Sequence, residues 1–291
     1  MTATMTATTG PQRFAPSKDE RTVQEQIRRL STEEKECFDN LKKKWATKFP
    51  DTELSDEMVL RFGYCSPGSK KFNESASWKV MKNFDQRFLK LNAMTLEDQL
   101  MSKTLFPIPG LKTKEGDHDV FYMRPSRYFP NKTSTKDIID NLGYCMMSMQ
   151  AGNEKNSKEG IGFVANMDDW KMTNFSFDYC LQFMNMLQGK IPVRVRMFLI
   201  VNPPGWFGMI WKIMKPMLTK DFRQKVAVIP ESDLPKYLAE GFEDSLPDEF
   251  TNGRASTDDI VRTLSRIASL SSKKREKENE GLCNIRRQKM I

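Results

Sequence analysis

The spacing of apolar positions changes near residue 104. Before that point they recur every three or four residues. Phe38, Leu41 and Trp45 share one helical face, opened by Ser31 and Glu34 in capping-box spacing and closed by Pro50. Met58, Val59 and Phe62 mark a short helix. Asn73 caps a stripe of Trp78, Met81, Phe84, Phe88 and Leu91, and Thr95 with Asp98 opens another short helix. Beyond residue 104, short apolar runs alternate with helical stripes. Val120–Met123, Ile161–Ala165, Val195–Val201 and Val226–Ile229 read as strands. Between them, Ser134 and Asp137 cap a helix through Ile138, Leu142, Met146 and Met149, and Phe177–Leu187 forms an aromatic, Met-rich helix. Val195–Val201 is almost continuously apolar, as in a strand covered on both faces. Strands alternating with helices imply an α/β sheet.

The longest apolar stretch, Met197 to Met214, has eighteen residues and one charge, Lys212. That is the length of a membrane span. Asn202-Pro203-Pro204-Gly205 lies in its middle, and Pro-Pro cannot continue a helix. The stretch therefore predicts a strand, a turn and a separate helix over Trp206–Leu218. Trp206, Met209, Ile210, Ile213 and Met217 form one face of that helix; Phe207, Trp211, Met214 and Leu218 form the other. Only Lys212 and Lys215 interrupt it. A helix apolar all round is deeply buried or faces lipid on one side, and composition favours burial. Eleven of the nineteen methionines lie between Met146 and Met217, which suits an adaptable apolar cavity as well as a plain core.

Composition narrows the chemistry. The chain has 46 basic and 38 acidic residues, a formal charge of +8. Lys273 to Lys289 holds seven basic and three acidic residues, half of that excess. The remainder is only mildly basic, which argues against an extended nucleic-acid surface. One histidine, His118, excludes multi-histidine zinc sites, and its Gly116-Asp117-His118-Asp119 setting predicts an exposed turn. Five cysteines, none in metal or redox spacing, read as buried, reduced thiols of an intracellular protein. The Thr/Ala-rich N-terminus shows no secretory signal.

Two glycine motifs fail on context. Gly63 to Lys70 has P-loop spacing but ends Ser69-Lys70, in reversed order and after a helix. Gly160 to Ala165 has the loosened dinucleotide spacing, but its glycines precede a strand. Asp168 with Asp169 could serve as acid and base, though a strand-terminal turn explains them better. No catalytic residue is assigned, and neither a metal nor a cofactor is expected beyond a bound lipid.

Residues 20–253 resemble the CRAL-TRIO lipid-binding family. The resemblance rests on Pro192-Val193-Arg194-Val195-Arg196, Leu199-Ile200-Val201-Asn202-Pro203-Pro204, Phe207, Met214-Lys215-Pro216-Met217-Leu218, and Arg223, Lys225 and Val226. Leu246-Pro247-Asp248-Glu249-Phe250 resembles the closing motif. Leu60-Arg61-Phe62, Lys71-Phe72 and Trp78 resemble the N-terminal helical signature, and Phe121-Tyr122 with Arg124-Pro125 the first strand. The resemblance implies a helical N-terminal lobe packed on an α/β domain with a mostly parallel sheet, and a mobile gating helix over a lipid cavity. It divides the chain into a disordered leader (1–18), a helical lobe (19–103), the lipid-binding domain (104–255), and a C-terminal helix with Ile260, Leu264 and Ile267 followed by a charged disordered tail (256–291).

The expected cavity and gate residues are Phe163, Phe183, Met186, Leu187, Phe198, Ile200, Trp206, Phe207, Ile210, Trp211 and Met214. The resemblance also implies a phosphoinositide headgroup patch of Lys70, Lys71, Arg194, Arg196, Lys215 and Lys225. Val193 stands where fungal phosphatidylinositol-binding members carry a Glu. The implied function is to sequester one hydrophobic lipid and exchange it with membranes, without bond chemistry. The alternative is a phosphoinositide-sensing scaffold without net transfer. The expected partners are a hydrophobic lipid and a phosphoinositide-containing membrane surface, with no nucleic acid. The expected state is a cytoplasmic monomer, peripheral on membranes.

Overall fold

The computed structural model describes residues 21–65, 72–92, 94–150 and 153–266. Disorder over 1–18, the patch members Lys70 and Lys71, and the charged tail fall outside that range.

Five short helices come first: α1 (Val23–Arg28), α2 (Thr32–Lys48), α3 (Asp56–Tyr64), α4 (Glu74–Met81) and α5 (Glu97–Met101). The capping box at Ser31 forms, with Glu34 N donating to Ser31 Oγ at 3.2 Å and Ser31 N donating back to Glu34 at 3.0 Å. Helix α2 buries Cys37, Phe38, Leu41 and Trp45, the stripe that its spacing predicts. The longer stripe from Asn73 is not one helix. It stops at Met81, and Phe88 lies in a 3-10 turn, Gln86–Lys90, capped by Asp85.

The sheet contains β1 (Leu105–Lys112), β2 (Asp119–Met123), β3 (Ile161–Asn166), β4 (Val195–Val201) and β5 (Val226–Ile229), in the order β1-β2-β3-β4-β5. Strand β1 runs antiparallel to β2, and the other three pairs are parallel. Helices α6 (Thr135–Gln150) and α7 (Glu154–Glu159) connect β2 to β3. Helix α8 (Phe177–Leu187) connects β3 to β4, while α9 (Phe207–Met214) and α10 (Lys220–Gln224) connect β4 to β5. A last helical stretch covers 257–266 and buries Val261 and Leu264. Met197 to Met214 is thus strand, turn and helix. Among the described residues no helix is long and apolar enough to cross a membrane.

Alternation along the strands separates two faces. Phe121 and Met123, Phe163 and Ala165, and Phe198 and Ile200 share one. Tyr122, Val164, Leu199 and Val201 share the other. All are buried, which explains the unbroken apolar reading of β4. Two glycines permit close approaches. A Cβ on Gly143 in α6 would meet the Phe88 ring at 2.5 Å, so glycine there lets the first lobe dock on α6. Gly160 ends α7 at φ 105° against the Arg194 backbone, a conformation that disfavours any side chain.

His118 corrects the sequence reading. It is 1% exposed, not a solvated turn residue. Its Nε2 lies 2.8 Å from Glu159, its Nδ1 lies 3.1 Å from the Glu115 carbonyl, and its backbone N–H donates to Thr113 Oγ1 at 3.0 Å. Every polar group of the ring is met, so burial carries little penalty. Asp168 and Asp169 fit the turn reading. Asp168 N donates to Asn166 Oδ1, Asp169 has φ 58°, and both lie near the Arg124 guanidinium.

Candidate functional site

Helix α9 roofs a cavity of about 120 Å³ over the Phe198 face of the sheet. Its floor comes from β2, β3 and β4 through Met123, Ala165, Phe198 and Ile200. One wall comes from α8, with Tyr179, Cys180, Phe183 and Met184. Another comes from the turns that follow β2 and β3, with Tyr128, Trp170 and Asn174. The roof consists of Phe207, Ile210, Trp211 and Met214.

Seven of the expected residues therefore meet: Phe183, Phe198, Ile200, Phe207, Ile210, Trp211 and Met214. Four expectations need correction. Phe163 shares the cavity face but stacks beside Phe198, its partner on the neighbouring strand, with ring centroids 5.4 Å apart, and does not line the cavity. Met186 and Leu187 are buried on α8 away from the cavity, because only the 179–180 and 183–184 positions of that helix face inward. Trp206 precedes the roof and packs on Trp170 with ring centroids 4.6 Å apart. The reading of the α9 faces also shifts, since Ile210 joins the inward side. Met209, Ile213 and Met217 remain outside, 66%, 50% and 43% exposed.

The helix ends earlier than its apolar pattern. Pro216 has no N–H to continue the helical hydrogen bonding, and although Lys215 keeps helical angles the chain tightens into a 3-10 turn over Lys215–Met217. Two amide side chains hold the ends of this segment. Asn202 stands just before it at φ 51°, accepting from Glu231 N at 3.0 Å and donating to Asp168 and Glu231 at 3.3 and 3.4 Å. Gln188, after α8, donates to the Met217 carbonyl at 3.3 Å and accepts from Thr219 N at 2.6 Å.

The cations divide. Arg194 Nε donates to the Tyr64 carbonyl at 2.7 Å and so bridges the two lobes. Lys225 pairs with Asp221 at 2.6 Å. Arg196 and Lys215 are exposed and have no ion-pair or hydrogen-bond partner among the described residues. Sequence reasoning missed Tyr128, Trp170, Tyr179 and Gln188. Tyr179 stands one turn before Phe183 in the Phe177–Leu187 stripe and could have been found there; Tyr128, Trp170 and Gln188 lie in turns, and only the fold brings them to this region.

Burial raises the four thiols among the described residues. It pushes Cys37 up to about 11, Cys65 to about 12 and Cys180 to about 12, and Cys145 in the same direction. Among the described residues no cluster of His, Cys, Asp and Glu could hold a metal.

Comparison with known proteins gives this geometry relatives. The CRAL/TRIO domain profile matches residues 105–253. Tyrosine-protein phosphatase non-receptor type 9 of Homo sapiens is 21% identical over 201 residues, covering 67% of this chain and 33% of that protein. Alpha-tocopherol transfer protein-like of Mus musculus is 27% identical over 188 residues, covering 60% of this chain and 51% of that one. The chain thus spans a third to about half the length of these curated relatives. The crystal structure of Sfh5 superposes with a TM-score of 0.52 at 14% identity, covering 84% of this chain and 98% of that one, which is a likeness of fold.

Proposed function

Because the chain belongs to the CRAL/TRIO domain family, we propose that it sequesters one hydrophobic lipid beneath α9 and exchanges it with membranes when that helix swings open. One observation carries the reading: α9 is apolar on both sides. Its inner side roofs the cavity, while Met209, Ile213 and Met217 form an outer apolar stripe in water. An ordinary surface helix carries polar residues there. A bilayer would cover that stripe, and the exposed Lys212 and Lys215 would reach toward headgroups. The energetic need is plain, since each CH₂ of a lipid tail costs about 0.8 kcal/mol in water.

The protein acts without bond chemistry, as a cytoplasmic monomer peripheral on membranes. Support comes from the thiols. A cysteine nucleophile needs a lowered pKa, whereas burial raises all four thiols among the described residues. The phosphatase activity in one relative's name is not carried over, since the match covers 33% of that protein. The exposed, unpartnered Arg196 and Lys215 favour a second reading, a phosphoinositide-sensing scaffold without net transfer.

The test is transfer of a labelled lipid between donor and acceptor liposomes. Met209→Asp with Ile213→Asp should slow transfer about tenfold or more, because two charges enter the docking stripe. Melting should stay nearly unchanged, since both positions are exposed. Transfer at the wild-type rate would remove α9 as the gate. Binding to phosphoinositide liposomes without any transfer would favour the scaffold.

A further inference from the structure

The turn between α1 and α2 carries Arg28-Arg29-Leu30-Ser31. Arg28, Arg29 and Ser31 are exposed, while Leu30 packs against the core and anchors the turn. Neither guanidinium has an ion pair or a side-chain hydrogen bond among the described residues. Glu25 lies within the field of both without pairing to either. Arg-Arg occurs once more in the chain, at Arg286-Arg287, where no serine or threonine follows. Two adjacent arginines ahead of a hydroxyl therefore stand at one place.

That hydroxyl is accessible and unspent. Ser31 Oγ accepts from Glu34 N at 3.2 Å, and its own proton has no acceptor among the described residues. The backbone at Ser31 is extended, with φ −62° and ψ 166°. Helix α2 buries no residue before Cys37, so its first turn can fray without uncovering core. The segment can thus enter a cleft as an extended strand while the rest of α2 stays packed.

Charge selects the cleft. Two guanidinium forks on the N-terminal side of a free hydroxyl complement a surface lined with carboxylates. We propose that Ser31 is a phosphorylation site for a serine/threonine protein kinase that selects arginine two and three residues ahead of its acceptor. In the transfer, Ser31 Oγ attacks the γ-phosphorus of ATP. The new O–P bond forms as the bond from that phosphorus to the β,γ-bridging oxygen breaks. ADP leaves, and the hydroxyl proton passes to the kinase's aspartate. The product carries about −1.5 to −2 charges at neutral pH. Arg28 and Arg29 balance Glu33 and Glu34 around the free hydroxyl, so the modified turn becomes a net anion. No residue of α1 or α2 lines the cavity, so the change acts on the surface of the first lobe and not on the apolar site.

The test incubates the full chain with ATP and the catalytic subunit of such a kinase, and locates the modified residue by peptide mass spectrometry. Phosphate should appear on Ser31 in the folded protein. Arg28→Ala with Arg29→Ala leaves the helix cap in place and should slow labelling of Ser31 about tenfold or more. Ser31→Asn keeps a capping side chain, so the label should vanish from this peptide without loss of the helix start, and should not move to Thr32. Phosphate confined to other residues of the folded chain would overturn the site, as would labelling of Ser31 only after heat denaturation. Labelling at the wild-type rate without the two arginines would overturn the selectivity.

Discussion

Each of helices α1 to α4 begins on a side chain that accepts from its own first turn: Thr22, Ser31, Ser55 and Asn73. Helix α9 begins on Trp206 with no side-chain cap. The contrast extends to their surfaces. Helix α2 buries one apolar stripe and turns charged residues outward, whereas α9 is apolar inside and out. Caps and one-sided stripes give a helix a single favourable position. An uncapped helix with two apolar sides fits two environments, a cavity and a bilayer. The first lobe is anchored further by Arg61, which is 2% exposed and bonds to Glu57 at 2.5 Å and the Met147 carbonyl at 3.1 Å. The ends of the α9 segment hang on Asn202 and Gln188.

Three substitutions sharpen this comparison. The largest effect should come from Arg61→Ala, which removes the buried tie between α3 and α6. It should lower unfolding stability by about 3 kcal/mol in urea titration. A loss under 1 kcal/mol would show that the lobes dock without it. Gln188→Ala removes two hydrogen bonds on the far end of the α9 segment. Amide exchange in α9 should rise about tenfold, with little change in α2. An equal rise in both helices would erase the distinction between the first lobe and α9. Ser31→Ala should cost about 1 kcal/mol of global stability and leave α9 exchange alone. If it accelerated α9 exchange as well, α9 would be coupled to the lobe rather than independent of it.

Much of the architecture was legible because it follows local pattern. Val195–Val201, Phe177–Leu187 and Val226–Ile229 fall where apolar runs and caps predict them. Strand β1 was not legible. Pro107, Pro109 and Gly110 interrupt its apolar pattern, yet an edge strand tolerates proline. His118 was misread because Glu159 is 41 residues away, and no local pattern reports that contact. Most of the roof was readable from the dense apolar helix. The wall was not: Tyr128 and Trp170 are single aromatics in polar turns, made neighbours of the cavity only by the β2–β3 register and the Asn174 ties.

Strand β1 has a bearing on solubility. Free sheet edges are the usual templates for self-association. Here Pro107 and Pro109 strip amide donors from one edge strand, and the far end of that strand is covered where Ala239 N bonds to the Lys112 carbonyl at 3.0 Å and Lys114 N to the Tyr237 carbonyl at 2.7 Å. The opposite edge, β5, is only four residues long. Neither side offers a long ladder for a second copy to extend. Growth of the sheet by a second copy is thereby disfavoured at both of its edges.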